Sequence, residues 1–382
     1  MPPTKVVHMT SVHGALDPRI FHKECRSLAR AGFEVTVIGH YPKDMVSDRV
    51  RVESVYRHSS RLARMTRTVW HVYQKARSEK ADVYHFHDPE LIPIGLLLRM
   101  RGKKVIYDVH EDMPKDVMSK SYLPGWSRPV VAWLAKHVEG AVCGHFSALV
   151  VVTPSIAERF ANVNARTVIV YNYPYQNEVV LDLSSMAWGN RRQSVAYVGG
   201  ITAQRAIREM VGAMGLLPQS LPATLELAGN EIPEDVSAEE LQADPGWSRV
   251  HHHGLLDQPS TFRILHRVRA GLVLFHPEPN HVESLPQKIF EYMGAGLPII
   301  ASNFPLWQRM LGEEGCRCAL FVDPTNPRDI AAAIEYLLTH PREAEEMGRR
   351  GQAEVLKNYN WDTEAAKLVQ LYVSLTAKPC AA

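Results

Sequence analysis

From Lys5 onward the chain alternates short β-branched runs with longer amphipathic ones, and it does so in two successive sets. "KVVHMTS" reads as a buried strand, "IFHKECRSLARAG" as a helix stopped by Gly32, and "FEVTVIGH" as the next strand, which makes a βαβ unit. "ADVYHFHD", "KKVIYDVHED" and "SALVVVTPS" continue the series with helical stretches between them. Parallel strands joined this way need helices on both faces of the sheet. Periodicity fails between Tyr173 and Ser194, where Pro, Asn, Ser and Gly gather as in an interdomain connection. A second set follows in "SVAYVGG", "ATLELAGN", "RVHHHG", "RAGLVLFHP", "PIIAS" and "CALFVD", and the chain closes on the amphipathic "WDTEAAKLVQLYVSLTA". The expectation is α/β, with two doubly wound Rossmann-like domains at 1–175 and 176–360 and a terminal helix at 361–382.

Composition narrows the function classes. A chain of 382 residues suits two domains better than one core. Lys and Arg number 43 against 41 for Asp and Glu, a balance that gives no reason to expect nucleic acid as a partner. The five cysteines are scattered, and the C-x-C at Cys316 and Cys318 lacks a second half for a zinc site, so reduced thiols are expected. No signal-like or membrane-spanning run is present, which predicts a cytoplasmic protein. No G-x-G-x-x-G follows either leading strand, which disfavours a nicotinamide dehydrogenase.

Parallel sheets bind ligands at the carboxyl ends of their strands. Ser11, His13, His87, Asp88, His110, Glu111 and Asp112 all fall at such ends in the first set and are expected to face one crevice, whereas His8, His85 and His251 read as structural. In the second set the stretch "ESLPQKIFEYMGAGLPIIASNFP" stands out. Ser284 and Gln287 have capping-box spacing and Pro286 suits a first turn, so a helix starting at Leu285 is expected. Its free amides would favour an anion, and Lys288 adds a charge at the same end. Glu291, on the same face, can accept hydrogen bonds from vicinal hydroxyls, with Glu283 on the other side of the anion. A diphosphate flanked by two hydroxyl-rich groups is a nucleotide sugar. The bland alternative for Lys288 and Glu291 is an ordinary surface pair.

Glu283 and Glu291 match the E-x7-E motif of retaining glycosyltransferases of the GT-B fold, and "KIFEYMGAGLPIIAS" is similar to the consensus around its second glutamate. "TSVHGALDPRIFHKECRSLARAGFEVTVI", "HFHDPELIPIGLLLRMRGKKVIYDVHED" and "YVGGITAQRAIREM" also resemble glycosyltransferase family 4, so the likeness spans nearly the whole chain. The resemblance implies two Rossmann-like domains facing a central cleft, with the terminal helix crossing back to the N-terminal domain. It implies donor binding by Gly14, Ala15, Gly199, Gly200, Arg205, His253, Gly254, Leu255, Glu283, Ser284, Leu285, Pro286, Lys288 and Glu291. Arg205 and Lys288 would hold the pyrophosphate, Glu291 the ribose, Glu283 and His110 the transferred sugar, and the loop at His253 to Leu255 the base. His110, Arg205, Lys288 and Glu283 are thus the expected catalytic residues, and His13, Asp17, His87, Asp88, Glu111 and Asp112 the acceptor side. The family's arginine directly after the leading glycine is absent, because Gly200 stands there.

The activity implied is metal-independent retaining transfer from a UDP-sugar, or next a GDP-sugar, to an acceptor in glycan or natural-product biosynthesis. No cofactor is expected. The rivals are a sugar-nucleotide epimerase of the same architecture and a nucleotide-sugar-binding protein without turnover. The segment 57–80, with Arg57, Arg61, Arg64, Arg67, Lys75 and Arg77 around Trp70 and Tyr73, reads as a solvated helix, or as a contact for an anionic membrane or a lipid-linked acceptor.

Overall fold

The computed structural model describes residues 3–118, 123–176, 188–230 and 236–377. It divides into two compact units, Met1–Asn172 with Trp361–Ala382, and Tyr173–Asn360. Most of the expected connection, residues 177–187, lies outside the described residues.

The first unit holds β1 (Lys5–Gly14), β2 (Glu34–His40), β3 (Met45–Ser47), β4 (Val50–Ser54), β5 (Val83–Phe86), β6 (Lys104–Val109), β7 (Ala148–Val151) and β8 (Thr167–Ile169). They pair in the order β3-β4-β2-β1-β5-β6-β7-β8, parallel throughout except for the β3–β4 hairpin at one edge. Central strands such as β5 and β7 are buried along their whole length, as expected when helices cover both faces. The hairpin was not singled out in the sequence: β3 is three residues long with no buried position, although β4 alternates with Val50 and Val52 buried.

The first helix departs from expectation. Residues Pro18–Cys25 form a π-helical stretch that passes into an α-helix at Arg26–Arg30. Asp17 caps it, its Oδ1 accepting from the amides of Arg19 at 2.8 Å and Ile20 at 3.1 Å. The wider turn coincides with the burial of Arg19, Lys23 and Glu24 together. The C-terminal helix Trp361–Thr376 belongs to this unit, where Trp361 donates its indole N–H to Ser27 at 2.9 Å and Tyr372 is fully buried.

The second unit is wholly parallel. Its strands are β9 (Ser194–Val198), β10 (Thr224–Ala228), β11 (Val250–His252), β12 (Ala270–Val273), β13 (Ile299–Ser302) and β14 (Ala319–Val322), in the order β11-β10-β9-β12-β13-β14. The order reverses between β9 and β12, and the loops following these two strands carry the candidate residues. Gly271 in β12 is required by close approach: a Cβ there would stand 2.2 Å from the ring of Tyr292, whose hydroxyl accepts from the Val198 amide at 2.8 Å. That contact ties the motif helix to the end of β9.

Candidate functional site

In the second unit the motif helix begins later than its sequence suggests. It runs from Gln287 to Gly294 with Pro286 as the cap residue, and no side chain caps it. Ser284 does not form the expected capping box. Its hydroxyl donates instead to the His281 carbonyl at 2.8 Å, and its own carbonyl accepts from Trp307 Nε1 at 2.8 Å. The physical reason is Pro286: its ring disfavours helical geometry for Leu285, and Pro286 itself stays extended at ψ 136°. The helix therefore opens at Gln287, immediately before Lys288.

Lys288 is the most unusual side chain of the unit. It is buried, and among the described residues its Nζ has no hydrogen-bond partner. The ammonium lies 3.9 Å from the Tyr197 ring centroid and 5.5 Å from that of Phe275. Burial, and then the positive charge of Arg205, hold its pKa well below the ordinary lysine value, with Glu291 opposing. The Arg205 guanidinium lies over the same Phe275 ring, 5.5 Å from its centroid. Gly199 and Gly200 make the approach of both cations possible. A Cβ at Gly199 would stand 2.8 Å from Lys288 Nζ, and one at Gly200 would stand 2.9 Å from an Arg205 Nη. An arginine in place of Gly200 would therefore crowd Arg205, which occupies that space itself.

The backbone around these cations is held open. Gly199 sits at φ +140° and Gly229 at φ +153°, and Ala206, just after Arg205, adopts a left-handed φ of 55°. Such a conformation costs a non-glycine residue about 1–3 kcal/mol and is characteristic of binding loops. Tyr197 donates its hydroxyl to the Gly200 carbonyl at 2.8 Å, and burial pushes its pKa to about 12 against the pull of Arg205. Tyr197 and Phe275 were not singled out in the sequence. The usable signal was an aromatic residue at each of the two strand ends flanking the order reversal.

The remaining donor-side residues are placed around this centre unevenly. Glu283 is exposed, and Glu291 and Leu285 are half-buried. His253 Nε2 meets Glu226 Oε2 at 2.6 Å and His251 Nδ1 meets Glu226 Oε1 at 3.2 Å, so this pair is committed to a carboxylate. Gly254 turns at φ +66° and accepts from the Gly229 amide at 2.9 Å, while Leu255 projects outward, 72% exposed.

The first unit gathers a second cluster. Asp88, at the end of β5, is buried and accepts from Thr10 Oγ1 at 2.7 Å and from the amides of Ser11 at 2.6 Å and Val12 at 3.1 Å. His13 Nδ1 lies 2.8 Å from the same carboxylate. Burial would raise the pKa of Asp88, but these contacts, His13 foremost, hold it far below the ordinary value. For His13, burial lowers the pKa and Asp88 more than offsets it, so the net shift is upward. The His13 ring is 5.2 Å from that of His110. His110 and His87 both address Asp108, which Arg19 grips with Nε at 3.1 Å and an Nη at 3.2 Å.

Four of the expected acceptor-side residues are engaged or placed in other ways. His87 is buried, Asp17 is spent on the helix cap, and Asp112 pairs with Arg159 at 3.4 Å and Lys115 at 3.6 Å, while Glu111 is exposed. Gly14 has its nearest neighbour at 3.9 Å from a built Cβ, so no crowding within the chain demands glycine there, and Ala15 is buried. In the basic segment Arg64 chelates Glu90 at 2.7 and 3.1 Å, Lys75 reaches Asp44 and Glu53, and Arg57 donates to the Val12 carbonyl at 2.6 Å. Tyr73 is buried and Trp70 is half-exposed. Among the described residues no helix is long and apolar enough to cross a membrane.

The Asp88 cluster makes a pH prediction. Asp88 titrates in the fold below its ordinary 3.8, so its contribution to stability is complete above 3.8 and is lost as pH falls through the lowered value. His13 titrates above its ordinary 6.5, so its contribution is complete below 6.5 and is lost as pH rises through the raised value. Thermal midpoints measured across pH should peak between the two. Asp88→Asn should flatten both limbs and cost about 1–3 kcal/mol, since Asp88 is buried but His13 is partly exposed to solvent. An unchanged pH profile in that variant would contradict the assignment.

Two family models divide the chain: a glycosyl transferase 4-like domain matches residues 19–173 and a glycosyl transferase-like domain matches residues 205–370. Glycogen synthase of Mycobacterium tuberculosis is 22% identical over 401 residues, covering 95% of this chain and 92% of that protein. Among solved structures, sucrose-phosphate synthase from Thermosynechococcus elongatus has a TM-score of 0.76 at 18% identity, covering 97% and 99% of the two chains. Anabaena HepE, solved in complex with UDP-glucose, has a TM-score of 0.69 at 13% identity, covering 97% and 99%. The solved structures establish the fold and the family models the lineage: this chain is a glycosyltransferase of the GT-B, family 4 type.

Proposed function

We propose that the protein is a retaining, metal-independent transferase that moves a sugar from a nucleoside diphosphate, uridine first and guanosine second, to an acceptor hydroxyl in glycan or natural-product biosynthesis. The observation that carries this reading is the buried Lys288 amine, without a hydrogen-bond partner among the described residues, beside Arg205 and next to the opening of the motif helix. A buried amine beside a guanidinium, with no hydrogen-bond partner for its nitrogen among the described residues, is costly to charge unless an anion is bound there, and a diphosphate supplies that charge. The complex of Anabaena HepE with UDP-glucose supports the choice of donor class. In this reading Glu291 takes the ribose hydroxyls, Glu283 and His110 address the transferred sugar, and the loop at His253 to Leu255 receives the base.

The chemistry follows from charge. As the bond between the anomeric carbon and the diphosphate oxygen breaks, negative charge grows on the leaving group, where Arg205, Lys288 and the helix end stabilise it. The acceptor oxygen bonds to the same face of the sugar and its proton passes to the departing phosphate oxygen. The cations supply what a divalent ion would otherwise supply. The acceptor is a small molecule or a lipid-linked glycan. A lipid-linked acceptor would bring the 57–80 face to a membrane surface from the cytoplasmic side, with no nucleic acid involved.

The test is sugar release or transfer from UDP-glucose and GDP-mannose, with and without chelator, followed by proton NMR of the new anomeric centre. The expected product has the donor's configuration at an undiminished rate with chelator present. An inverted product would remove the retaining assignment, and loss of activity with chelator would remove the metal-free one.

A further inference from the structure

A line of hydrogen bonds runs through the core of the first unit, from His110 to the C-terminal helix. His110 Nε2 lies 3.1 Å from Asp108 Oδ2, and His87 Nδ1 lies 3.2 Å from the same oxygen. From the other edge of its ring, His87 Nε2 is 2.9 Å from His8 Nδ1. His8 Nε2 is 3.2 Å from the Tyr372 hydroxyl, and that hydroxyl is 2.8 Å from His85 Nδ1. His8, His85, His87, Asp108 and Tyr372 are all buried. Parallel register sets His8 of β1 opposite His85 of β5, so the sheet itself assembles the cluster.

The direction of every proton in the line can be worked out from one end. Asp108 is an ionised acceptor: burial would raise its pKa, but Arg19 and His110 hold it well below the ordinary range. A carboxylate only accepts, so of the two partners of His87 Nδ1, Asp108 Oδ2 at 3.2 Å calls for Nδ1–H, whereas His110 Nε2 at 3.1 Å would call for a lone pair there if it donated to His87; the order takes both rings to give their protons to Asp108 Oδ2. Burial keeps the His87 ring neutral, which leaves Nε2 a lone pair that must accept from His8 Nδ1–H. His8 is likewise held neutral by burial, so its Nε2 accepts from the Tyr372 hydroxyl. Having given its one proton, Tyr372 accepts from His85 Nδ1–H. His85 is then left with a lone pair on Nε2, and among the described residues that atom is indeed buried with no hydrogen-bond partner. The line ends on an unprotonated nitrogen.

We infer that Asp108 imposes a single proton order on His87, His8, Tyr372 and His85, and that His87 and Tyr372 are positioning residues holding the His110 ring with its Nε2 proton on Asp108. The other edge of His110 is thereby kept for a ligand. This functional consequence rests on reading His110 as a residue of the transfer site, whereas the proton order does not.

A metal centre is the competing use of the same atoms, because His8, Glu24, His85 and His87 form a metal-type donor set. Glu24 Oε2 stands 3.9 Å from His8 Nδ1, 3.8 Å from His85 Nδ1 and 4.0 Å from His87 Nε2. An ion there needs lone pairs on both His8 Nδ1 and His87 Nε2, the two atoms between which the order places a proton. It would also sit beside Arg19, whose Nε is 3.0 Å from Glu24 Oε1. Hydrogen-bond distances throughout the line favour the proton order.

The test is long-range proton–nitrogen correlation NMR on the full chain with labelled histidine, assigned with single His→Asn variants, together with elemental analysis for metals. His8, His85 and His87 are expected as neutral Nδ1–H tautomers, against the preference of free histidine for the other nitrogen. Tyr372→Phe keeps the ring and the packing but removes the donor to His8. It is expected to release His8 and His85 into mixed tautomers, to shift the His110 signals, and to lower kcat about three- to tenfold with little change in donor KM. An Nε2–H tautomer at His8, or a stoichiometric metal with both His8 and His87 lacking the shared proton, would overturn the order. His110 signals unmoved in Tyr372→Phe would overturn the positioning role. Neither readout needs a nucleotide, so a protein that shows the order yet binds no nucleoside diphosphate would refute the proposed function alone.

Discussion

Lys288→Met should raise the thermal midpoint of this protein while removing most of its transfer activity. The two effects have opposite signs because the same feature produces both. In the ligand-free fold the ammonium is buried beside Arg205 with its pKa driven down, so the charged form is a liability at any pH below the ordinary 10.5. Methionine keeps the length, and its thioether suits the faces of Tyr197 and Phe275. Relief of the buried charge should stabilise the fold by about 1–3 kcal/mol. Loss of a cation aimed at the leaving diphosphate should lower kcat/KM about 100- to 1,000-fold. A variant that loses stability and activity together would mean that Lys288 is structural. Unchanged turnover would remove it from the mechanism.

The second large effect is expected at Gly229. A Cβ there would lie 1.7 Å from the Gly199 carbonyl oxygen, and the backbone is at φ +153°, where side chains are strained regardless of space. Gly229→Ala should therefore displace the Gly199–Gly200 loop on which the approach of Lys288 and Arg205 depends. Strain and overpacking together predict a loss of about 2–6 kcal/mol in denaturant unfolding, with donor binding lost even where the chain still folds. Gly32 is the control, since it has φ +94° but nothing within 4 Å of a built Cβ. Gly32→Ala should cost about 1–3 kcal/mol from backbone strain alone and leave binding intact. Equal costs at the two positions would show that the close approach to Gly199 is not what requires glycine.

The architecture was legible because alternation of buried strands and amphipathic helices survives without tertiary information. Lys288 and Glu291 could be placed on a helix for the same reason. The start of that helix could not, since Ser284 and Gln287 have the spacing of a capping box while Pro286 forbids the geometry it needs. The π-helical turn at Pro18–Cys25 was equally hidden, because it coincides with the joint burial of Arg19, Lys23 and Glu24 against partners far along the chain, such as Asp108 and Asn172. Asp108 was not singled out at all. It sits within the apolar-looking strand "KVIYDV", and its importance comes from the register that brings His87, His110 and Arg19 to one carboxylate. Local propensity carries no information about such convergence. Likewise, the pairing of Asp112 with Arg159, on a helix far along the chain, was not legible in the sequence.

The central claim is that the motif helix and its two cations form a nucleoside diphosphate site. Calorimetric titration of the protein with UDP, GDP, dTDP and ADP, with chelator present throughout, tests it most directly. The account predicts saturable binding of one of them, UDP first, weakened at least tenfold in Glu291→Ala, which would lose hydrogen bonds to the ribose hydroxyls at about 1.4 kcal/mol per tenfold. It also predicts proton uptake on binding when the pH lies between the lowered Lys288 value and 10.5, because the diphosphate restores the ammonium. Absence of binding by all four nucleotides, or binding indifferent to Glu291, would contradict the account.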